Sequence, residues 1–299
     1  MNIERELGFK LQYGIKKDEP LSGHTSWMVG GPADYFLYPA GLEELLEIVR
    51  YSDKHGLPLY ILGNGTNLLV LDGGIRGLVI KIGSPFNYTE RENRFLVAGA
   101  GIPMSALANS AAETGLSGLE FAIGIPGLLG GALIMNAGAF GGYIGERVYT
   151  VKLVDFTGRV VTMTREELNF GYRESSLIGK GIIFEACLEL EKGDPERITR
   201  VMEKYSSDRQ DRHPNLPSAG SVFRNPPEKP AGKIIEEAGA KGMRIGGAEV
   251  SRKHANFIVN TGDATAADIL NLIRAVRQLV KDKYELDLHP EVRIVGEER

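Results

Sequence analysis

The residues best suited to chemistry in this chain are glycines. They are concentrated in residues 122–145, which read AIGIPGLLGGALIMNAGAFGGYIG and carry no charged side chain. Glycine lacks the Cβ that holds a ligand away from the main chain, and it allows positive φ angles. Clustered glycines therefore let main-chain N–H groups converge on phosphate oxygens. The stretch predicts a phosphate-binding loop that works through its backbone and needs no lysine.

Two other interpretations of this stretch are open from its composition. Its length and lack of charge suit a transmembrane helix. In lipid, however, Pro126, Asn136 and the pairs Gly130-Gly131 and Gly141-Gly142 would leave polar backbone groups unsatisfied, which disfavours this interpretation. The other interpretation is a set of tight turns within a large fold.

A second glycine loop reads Gly63-Asn64-Gly65-Thr66-Asn67-Leu68. It resembles the Rossmann fingerprint, but a leucine stands where the third glycine should be, and no unit of strand, loop and long helix surrounds it. The Gly-Lys-Ser/Thr of a P-loop is absent from the glycine-rich stretch. Two Gly/Asn loops on short strands therefore predict a different way of holding a dinucleotide.

Composition indicates a globular protein of the cytosol. The 299 residues, 42% of them hydrophobic, suffice for two or three domains. The opening MNIERELGFKLQ lacks the apolar run of a signal or transit peptide. A single cysteine, Cys187, excludes an internal disulfide, and no cysteine or histidine spacing suits a metal, so no metal is expected. The net charge of -4 argues against nucleic-acid binding, and no membrane association is expected.

Hydrophobic periodicity indicates the elements that must position these loops. Helices are predicted at 42–55, between Pro103 and Gly115, after Asp194 and Pro195, at 234–238 and at 265–284. Strands are predicted at 57–62, 67–71, 77–82, 94–98, 182–190 and 255–260, with a hairpin over 148–163. Residues 206–230 are polar and rich in proline, which is typical of a domain junction that lines a site.

Six motifs follow one another along the chain: LGNGTNLLV (62–70), GIPGLLGGALIMNAGAFGG (124–142), GYRESS (171–176), PSAGSVFRNP (217–226), KGMRIGGAEVSRKHANFIVN (241–260) and HPEVR (289–293). Taken together and in this order, they resemble the UDP-N-acetylenolpyruvoylglucosamine reductase family. The resemblance covers nearly the whole chain.

The resemblance implies an α+β flavoenzyme of bacterial peptidoglycan synthesis. An FAD-binding domain of the vanillyl-alcohol-oxidase (PCMH) type, made of two subdomains, would hold FAD non-covalently, and an α+β substrate-binding domain would follow. NADPH would reduce the flavin, which would reduce UDP-N-acetylglucosamine enolpyruvate to UDP-N-acetylmuramate. By motif match, the FAD contacts are Gly63, Asn64, Gly65, Thr66, Asn67, Leu68, Gly124, Ile125, Pro126, Gly127, Gly131, Asn136, Ala137 and Gly138.

The resemblance assigns catalysis to Arg173, Ser221 and Glu291. Hydride addition to the terminal enol carbon leaves enolate-like charge, which Arg173 and a protonated Glu291 would stabilise. Ser221 would protonate the carbanion. From the residues alone, the same positions suit a loop ion pair between Arg173 and Glu174, a turn serine, and a salt bridge between Glu291 and Arg293.

Substrate contacts are expected in the polar segment. Arg212 lies where the family carries a basic residue for the substrate diphosphate, Arg209 competes with it for that role, and Asn225 and Lys233 are further candidates. Arg224 replaces a lysine found in many family members, which keeps the charge but changes the contact geometry. The chain resembles the shorter subclass that lacks a tyrosine-bearing insertion after GYRESS.

The predicted domain order follows from the same resemblance. We expect the first FAD-binding subdomain at 1–83 with strand 290–299 returning to it, the second at 84–205, and the substrate-binding domain at 206–289. A monomer is the default expectation. One alternative is a flavin oxidase of the same fold, although neither FAD loop has a His or Cys that could tether flavin. Another is an inactive sugar-nucleotide sensor.

Overall fold

The computed structural model describes residues 3–298 of the chain. Within it the chain divides into two compact units. Unit 1 consists of Met1–Lys16, Tyr35–Gly63 and Gly77–Arg209, and unit 2 of Lys17–Asp34, Asn64–Arg76 and Gln210–Arg299. The three-part division expected from the sequence stays a prediction, and the last residue of its strand 290–299 lies outside the described residues.

The described residues contain both helices and strands, so the expected α+β class is confirmed. The α-helices are α1 (Ile3–Glu6), α2 (Leu42–His55), α3 (Met104–Glu113), α4 (Leu129–Ile134), α5 (Pro195–Arg212), α6 (Ala231–Ala238) and α7 (Ala266–Tyr284). Short 3-10 helices cover Gly8–Lys10, Leu21–His24, Ser84–Phe86, Glu120–Gly124, Ile144–Glu146 and Arg165–Glu167. No helix within residues 3–298 combines the length and the apolar character needed to cross a membrane.

The strands are short and lie in both units. They are β1 (Ile15–Pro20), β2 (Pro32–Leu37), β3 (Leu59–Leu62), β4 (Leu68–Val70), β5 (Ile75–Lys81), β6 (Thr89–Glu92), β7 (Phe95–Gly99), β8 (Leu116–Ser117), β9 (Gly138–Ala139), β10 (Gly142–Tyr143), β11 (Val148–Val154), β12 (Val160–Thr164), β13 (Phe170–Gly171), β14 (Glu174–Ser175), β15 (Ile182–Glu189), β16 (Glu191–Lys192), β17 (Arg244–Ile245), β18 (Ala248–Val250), β19 (Ile258–Asn260) and β20 (Arg293–Val295).

Unit 1 is built on an antiparallel sheet with the strand order β12-β11-β15-β7-β6. From Phe184 onward, strand β15 alternates buried and partly buried residues, as expected for a strand that buries one face. Helix α2 buries Leu45, Ile48 and Val49 at helical spacing in the same core. The hydrophobic effect thus fixes both the register of the sheet and the face of the helix.

Unit 2 has its own core around α6, α7 and the small sheet β17-β18-β19. Trp27 is fully buried there, and its Nε1–H donates to the carbonyl oxygen of Ile258 at 2.7 Å. Strand β20 pairs in parallel with β4, with Arg293 opposite Leu68 and Val295 opposite Val70. This pairing attaches the end of the chain to the strand that follows the first glycine loop.

The sequence located most elements correctly, although some of their bounds differ, and it predicted no strand pairing apart from one hairpin. Helices α2 and α7 lie where the periodicity places them, and the predicted hairpin at 148–163 is formed by β11 and β12. Strand β3 is paired in parallel with β5 rather than with β4, its neighbour in sequence. Helix α5 continues to Arg212, so the first residues of the polar segment are helical. Polar residues can extend a helix whose exposed face stays in water.

Residues 122–145 do not form a single helix. They contain the end of a 3-10 helix, the short α4 and the β9–β10 hairpin, joined by turns. The interpretation as a membrane helix is therefore wrong for this segment. Its glycines and Pro126 prevent a continuous helix, as the backbone argument from the sequence requires.

Candidate functional site

The first glycine loop connects β3 to β4 and is fixed at both ends. Lys81 Nζ donates to the carbonyl oxygen of Gly63 at 2.5 Å, and burial lowers the pKa of this lysine. Gly65 has a φ of 61°, and a Cβ at this position would lie 2.4 Å from the carbonyl oxygen of His24. The main-chain N–H groups of Asn64 and Gly65 donate no hydrogen bond to another residue among 3–298. The loop therefore offers backbone donors of the kind that bind phosphate.

The second glycine loop precedes and includes α4 in unit 1. Residues 100–104 hold one side of it through hydrogen bonds from Leu129 N to Ile102 O at 2.9 Å and from Met104 N to Gly127 O at 3.1 Å. Gly127 has a φ of 111°. A Cβ on Gly131 would meet nothing within 4 Å. One side of the loop is thus supported and the other is open, which fits the close approach of a dinucleotide.

Asn136 joins the glycine-rich segment to the GYRESS hairpin. Its side chain accepts from Gly145 N at 3.0 Å and donates to Gly171 O at 2.9 Å. The residue is only 7% exposed and has a positive φ of 42°. Ser175 Oγ adds a 2.9 Å bond to Ile134 O. Both polar groups of the Asn136 amide are therefore engaged in positioning the hairpin.

Arg173 lies in the two-residue turn of the β13–β14 hairpin, with a φ of 59°. This left-handed conformation costs a residue with a Cβ about 1 kcal/mol or more, and such strain is concentrated at functional sites. Its guanidinium carbon lies 5.3 Å from the ring centre of Tyr172. The hairpin thus holds a cation in a defined place in unit 1.

A cavity of about 530 Å³ opens beside this hairpin in unit 1. It is lined by Asn136, Tyr143, Gly145, Glu146, Arg165, Leu168, Phe170, Gly171 and Tyr172. Arg165 donates to the carbonyl oxygens of Glu146 and Val148, at 3.0 and 3.2 Å. The cavity lining thus includes Asn136 and Gly171, whose hydrogen bond holds the hairpin.

Arg209 is a residue of unit 1 to which sequence reasoning gave only a secondary role. Its side chain lies directly on Gly124, where a Cβ would be 2.6 Å from Arg209 Cδ. Burial, together with the positive charge of Arg173, lowers the pKa of Arg209 to about 10. The guanidinium groups of Arg173 and Arg209 therefore belong to one electrostatic environment next to the second glycine loop.

Ser221 and Glu291 are brought together in unit 2 by main-chain pairing. Glu291 N donates to Val222 O at 2.7 Å, Arg224 N donates to His289 O at 2.9 Å, and Phe223 forms a bridge with Pro290. These bonds set the AGSVF and HPEVR motifs side by side. Both residues are partly buried.

The first glycine loop contacts one of these two segments, HPEVR, in unit 2. Asn67 Nδ2 donates to Glu291 O at 3.3 Å, and Arg293 N donates to Asn67 O at 3.0 Å. One end of the predicted cofactor loop is thus directly bonded to the segment that carries Glu291.

Asn256 is a further positioning residue that the sequence did not reveal. Its Oδ1 accepts from Phe223 N at 2.9 Å and its Nδ2 donates to Phe223 O at 2.8 Å, while Val222 N donates to Asn256 O. The residue is 3% exposed. The only sequence signal for Asn256 was its position in the ANFIVN motif. The sequence did not show that its partner is the backbone of Phe223, 33 residues away.

The candidate substrate-binding residues Arg212, Asn225 and Lys233 all lie in unit 2 or at its start. All three are exposed, and Asn225 Oδ1 accepts from Ala231 N at 3.0 Å at the beginning of α6. Within residues 3–298, no hydrogen bond joins any two of them. Their assignment stays a prediction, as do those of the cofactor and catalytic residues.

The comparison with protein families identifies the class of protein to which this chain belongs. A family model described as "FAD binding domain" matches residues 33–164, a range that contains both glycine loops. Together with the α+β fold and the open backbone donors, this match defines an FAD-binding protein.

Further similarities identify the family. The model "UDP-N-acetylenolpyruvoylglucosamine reductase, C-terminal domain" matches residues 212–295. The UDP-N-acetylenolpyruvoylglucosamine reductase of Lachnoclostridium phytofermentans is 46% identical over 286 residues, which cover 94% of this chain and 92% of the relative. That of Bacillus subtilis is 43% identical over 299 residues, covering 99% of this chain and 97% of the relative. The chain belongs to the UDP-N-acetylenolpyruvoylglucosamine reductase family.

A solved structure agrees with this result. The protein in the crystal structure of UDP-N-acetylenolpyruvylglucosamine reductase (MurB) from Thermus caldophilus is 38% identical in sequence to this chain. The two structures superpose with a TM-score of 0.81. The similarity covers 92% of this chain and 97% of that one. The expected family, fold class and FAD cofactor are thereby confirmed.

Proposed function

We propose that this protein catalyses the NADPH-dependent, FAD-mediated reduction of UDP-N-acetylglucosamine enolpyruvate to UDP-N-acetylmuramate, a step of peptidoglycan precursor synthesis. The observation that carries this proposal is similarity to named reductases over nearly the full length, at 43 to 46% identity. Domain order supports it as well, because the FAD-binding match precedes the reductase-specific match along the chain.

The two glycine loops would hold the cofactor. Residues 63–68 and 124–127, with Gly131, Asn136, Ala137 and Gly138, would surround it through main-chain groups. When bound, FAD would take hydride from NADPH and pass it to the terminal carbon of the enolpyruvyl double bond. The lack of His or Cys in these loops is consistent with non-covalent binding.

Arg173, Glu291 and Ser221 would handle the charge and the proton. When hydride adds to the terminal carbon, the electron pair of the double bond moves to the neighbouring carbon and into the carboxylate. Arg173 would stabilise this enolate-like charge as a fixed cation, and Glu291 in its protonated form would donate a hydrogen bond to it. Ser221 Oγ would then give its proton to that carbon.

The proposed function also includes substrate contacts, domain bounds, an oligomeric state and a cellular location. Arg212, Asn225 and Lys233 would contact the UDP part of the substrate, and the domains would be divided at residues 83, 205 and 289. We expect the enzyme to act as a monomer in the cytoplasm, where both NADPH and nucleotide sugars are available.

An anaerobic absorption experiment tests the proposed function. Purified protein should show a flavin spectrum that NADPH bleaches and that UDP-N-acetylglucosamine enolpyruvate restores in the absence of oxygen. Recovery with oxygen alone would instead favour a flavin oxidase. A protein that neither contains nor binds FAD would contradict the assignment of both loops.

A further inference from the structure

Lys81 lies at the end of strand β5, where that strand runs beside the start of the first glycine loop. In the parallel pairing of β3 with β5 it is opposite Leu62, the residue before Gly63. Its Nζ donates to the carbonyl oxygen of Gly63 at 2.5 Å, and both residues belong to unit 1. The ammonium group therefore lies at the residue where the first loop begins.

The second glycine loop borders the same residue. A Cβ on Gly63 would lie 3.7 Å from Leu128 Cδ1, which is an ordinary contact distance. The main-chain N–H groups of Gly127 and Leu128 donate no hydrogen bond to another residue among 3–298. Lys81 is thus bonded to a residue of the first loop that contacts the second loop, and the second loop has open main-chain donors.

Main-chain hydrogen bonds hold the segment that follows β5 against the second loop. Gly101 N donates to Phe86 O, and Gly130 N donates to Ala100 O, each at 2.9 Å. These bonds join the two segments within unit 1. The backbone therefore sets where the Cα of Lys81 lies relative to the second loop, and the bond to the first loop sets where its Nζ lies.

The charge on Lys81 has no acidic partner in the part of the chain that the structure describes. No carboxylate there forms an ion pair or hydrogen bond with it, whereas Lys152 of the same unit pairs with Glu185 at 2.7 Å. Lys81 is half-buried, and burial lowers its pKa with no carboxylate to offset the effect. An ammonium group has three N–H donors, and Gly63 O accepts from one. An anion bound beside this group would compensate its charge and use the remaining donors.

The cofactor shown for this family contains a suitable anion. The FAD-binding match covers residues 33–164, which include Lys81 and both glycine loops. The diphosphate is the negatively charged part of FAD, and lysine binds phosphate as a compact point charge. Neither loop contains a lysine or arginine. Lys81 follows Gly63 by 18 residues, so the loop sequence gives no indication of this cation.

We propose that Lys81 binds the diphosphate of FAD through the N–H donors that Gly63 leaves free. This inference rests on the proposed function, which assigns the two glycine loops to FAD. The loops would bind phosphate oxygens through their main-chain N–H groups. Lys81 would supply the positive charge that these loops lack, and its bond to Gly63 O would keep the first loop close to the phosphate.

The affinity for FAD tests this role in the whole enzyme. Flavin fluorescence, recorded while the FAD-loaded enzyme is diluted, gives the Kd of FAD without turnover. In Lys81→Met we expect this Kd to rise about tenfold or more, because a charge-assisted hydrogen bond to phosphate is lost. Lys54→Met removes a positive charge from an exposed position of α2 in the same unit, and it should change the Kd less than about twofold.

Phosphorus NMR distinguishes contact with the diphosphate from an effect on the loop alone. With FAD in excess, so that the sites are full, the phosphorus resonances of bound FAD should shift in Lys81→Met and stay at their wild-type positions in Lys54→Met. Lys81→Arg keeps the charge and donors, and its Kd should lie between those of wild type and Lys81→Met.

Three other results would overturn the inference. A higher Kd in Lys81→Met with unchanged phosphorus resonances would mean that Lys81 acts only through the carbonyl of Gly63. A changed flavin absorption maximum with unchanged phosphorus resonances would assign Lys81 to the flavin ring. An unchanged Kd would leave it no part in FAD binding.

The wild-type enzyme provides a test that does not depend on the folding of a variant. Lysines are reductively methylated with FAD in excess and again after FAD has been dialysed away, and mass spectrometry measures each site. Lys81 should be protected by FAD, and Lys54 should be modified equally in both samples. Equal modification of Lys81 in both would contradict the proposal.

Failure of this inference can be distinguished from failure of the proposed function. A wild-type protein that binds no FAD would contradict the assignment of both loops, and the proposed function would fail with it. A wild-type enzyme that reduces UDP-N-acetylglucosamine enolpyruvate, together with an unchanged Kd of FAD in Lys81→Met, would overturn only the role of Lys81.

Discussion

Glu291 donates its main-chain N–H to the carbonyl oxygen of Val222 at 2.7 Å, which fixes Glu291 one residue from Ser221 across a pair of extended segments. The two segments are far apart in sequence and come from motifs that the sequence alone could not join. Asn256 fixes one segment through both backbone groups of Phe223, and Asn67 contacts the other. Ser221, the proposed proton donor, and the carboxyl-bearing Glu291 are thus held by main-chain geometry.

Replacement of Ser221 tests this arrangement. In Ser221→Ala we expect product formation to slow about 100-fold or more, because the positioned proton donor is lost. The rate at which NADPH bleaches the flavin should stay within twofold of wild type, since that step needs no proton at the enol carbon. Stopped-flow absorbance separates the two half-reactions. Equal slowing of both would contradict the assigned role.

Replacement of Arg173 tests the fixed cation. Asparagine tolerates positive φ better than most residues, so Arg173→Asn should fold at the hairpin position where φ is 59°. We expect kcat to fall about 100-fold to 1000-fold because a preorganised charge is removed from the transition state. Arg159→Gln, an exposed arginine of unit 1, is the control and should keep wild-type kcat.

Gly65 can be compared with a glycine of the same backbone conformation. Gly65 and Gly56 both have a φ of 61°, but a Cβ at Gly56 meets nothing within 4 Å, whereas one at Gly65 would lie 2.4 Å from a carbonyl oxygen. Gly56→Ala should cost about 1 to 2 kcal/mol of unfolding free energy from the φ angle alone. Gly65→Ala should cost more and also lower the FAD content, since the loop must shift.

Urea unfolding and flavin absorbance per protein measure these two effects. The same loss of stability in both variants, with full FAD content, would mean that the contact with His24 does not fix the loop.

Asn136 should act mainly through the hairpin that carries Arg173. Asn136→Ala removes the acceptor for Gly145 N and the donor to Gly171 O in a buried place, which should cost about 2 to 4 kcal/mol of unfolding free energy. Asn136→Asp keeps the acceptor but sets a carboxylate against the Gly171 carbonyl, so it should also destabilise the fold. If Asn136→Asp were as stable as wild type, the hydrogen bond to Gly171 would contribute little to the free energy of unfolding.

His254 predicts a pH dependence of stability in unit 2. Burial lowers the pKa of His254, and the Lys241 charge lowers it further, against opposing effects of a backbone hydrogen bond and Glu236. Its Nδ1 accepts from Asn256 N at 3.2 Å, which requires that nitrogen to be unprotonated. Below the ordinary histidine pKa of about 6.5, the unfolded chain binds a proton that the folded chain does not.

The free energy of unfolding should therefore fall as the pH drops below about 6.5, and it should level off once the folded histidine is also protonated. His254→Asn keeps a neutral acceptor and should show a smaller fall. Urea unfolding at about pH 7.5 and pH 5.5 measures the difference between the two proteins. Identical pH dependence would show that His254 makes no net contribution to it.

Local physics explains which elements the sequence predicted well. Helix α2 has a continuous apolar face and ends at Gly56, and α7 begins at Thr265, whose side chain accepts from Asp268 N. These signals act over a few residues, so they can be recognised without knowing the partner. The pairing of β3 with β5 and of β4 with β20 has no such signal, because parallel partners are remote in sequence.

In the candidate site as well, the sequence identified some residues, whereas their long-range contacts are seen only in the tertiary structure. The residue types of Arg173, Ser221 and Glu291 were identified through family motifs, and their roles stay predictions. The engagement of Asn136 and Asn256 with distant backbone groups was not predictable, because an amide side chain gives no indication of its partner. The same holds for the packing of Arg209 on Gly124, which depends on where helix α5 lies against the loop.

By itself the sequence determined the family, the α+β class, the two glycine loops and the main helices. These depend on residue identity and on short-range periodicity, which the chain carries in any conformation. Only the tertiary structure decided that Glu291 lies beside Ser221, that Asn136 holds the Arg173 hairpin, and that Arg209 shares the environment of Arg173. Those relationships arise when hydrophobic burial brings distant segments together and their backbone groups must find hydrogen-bond partners.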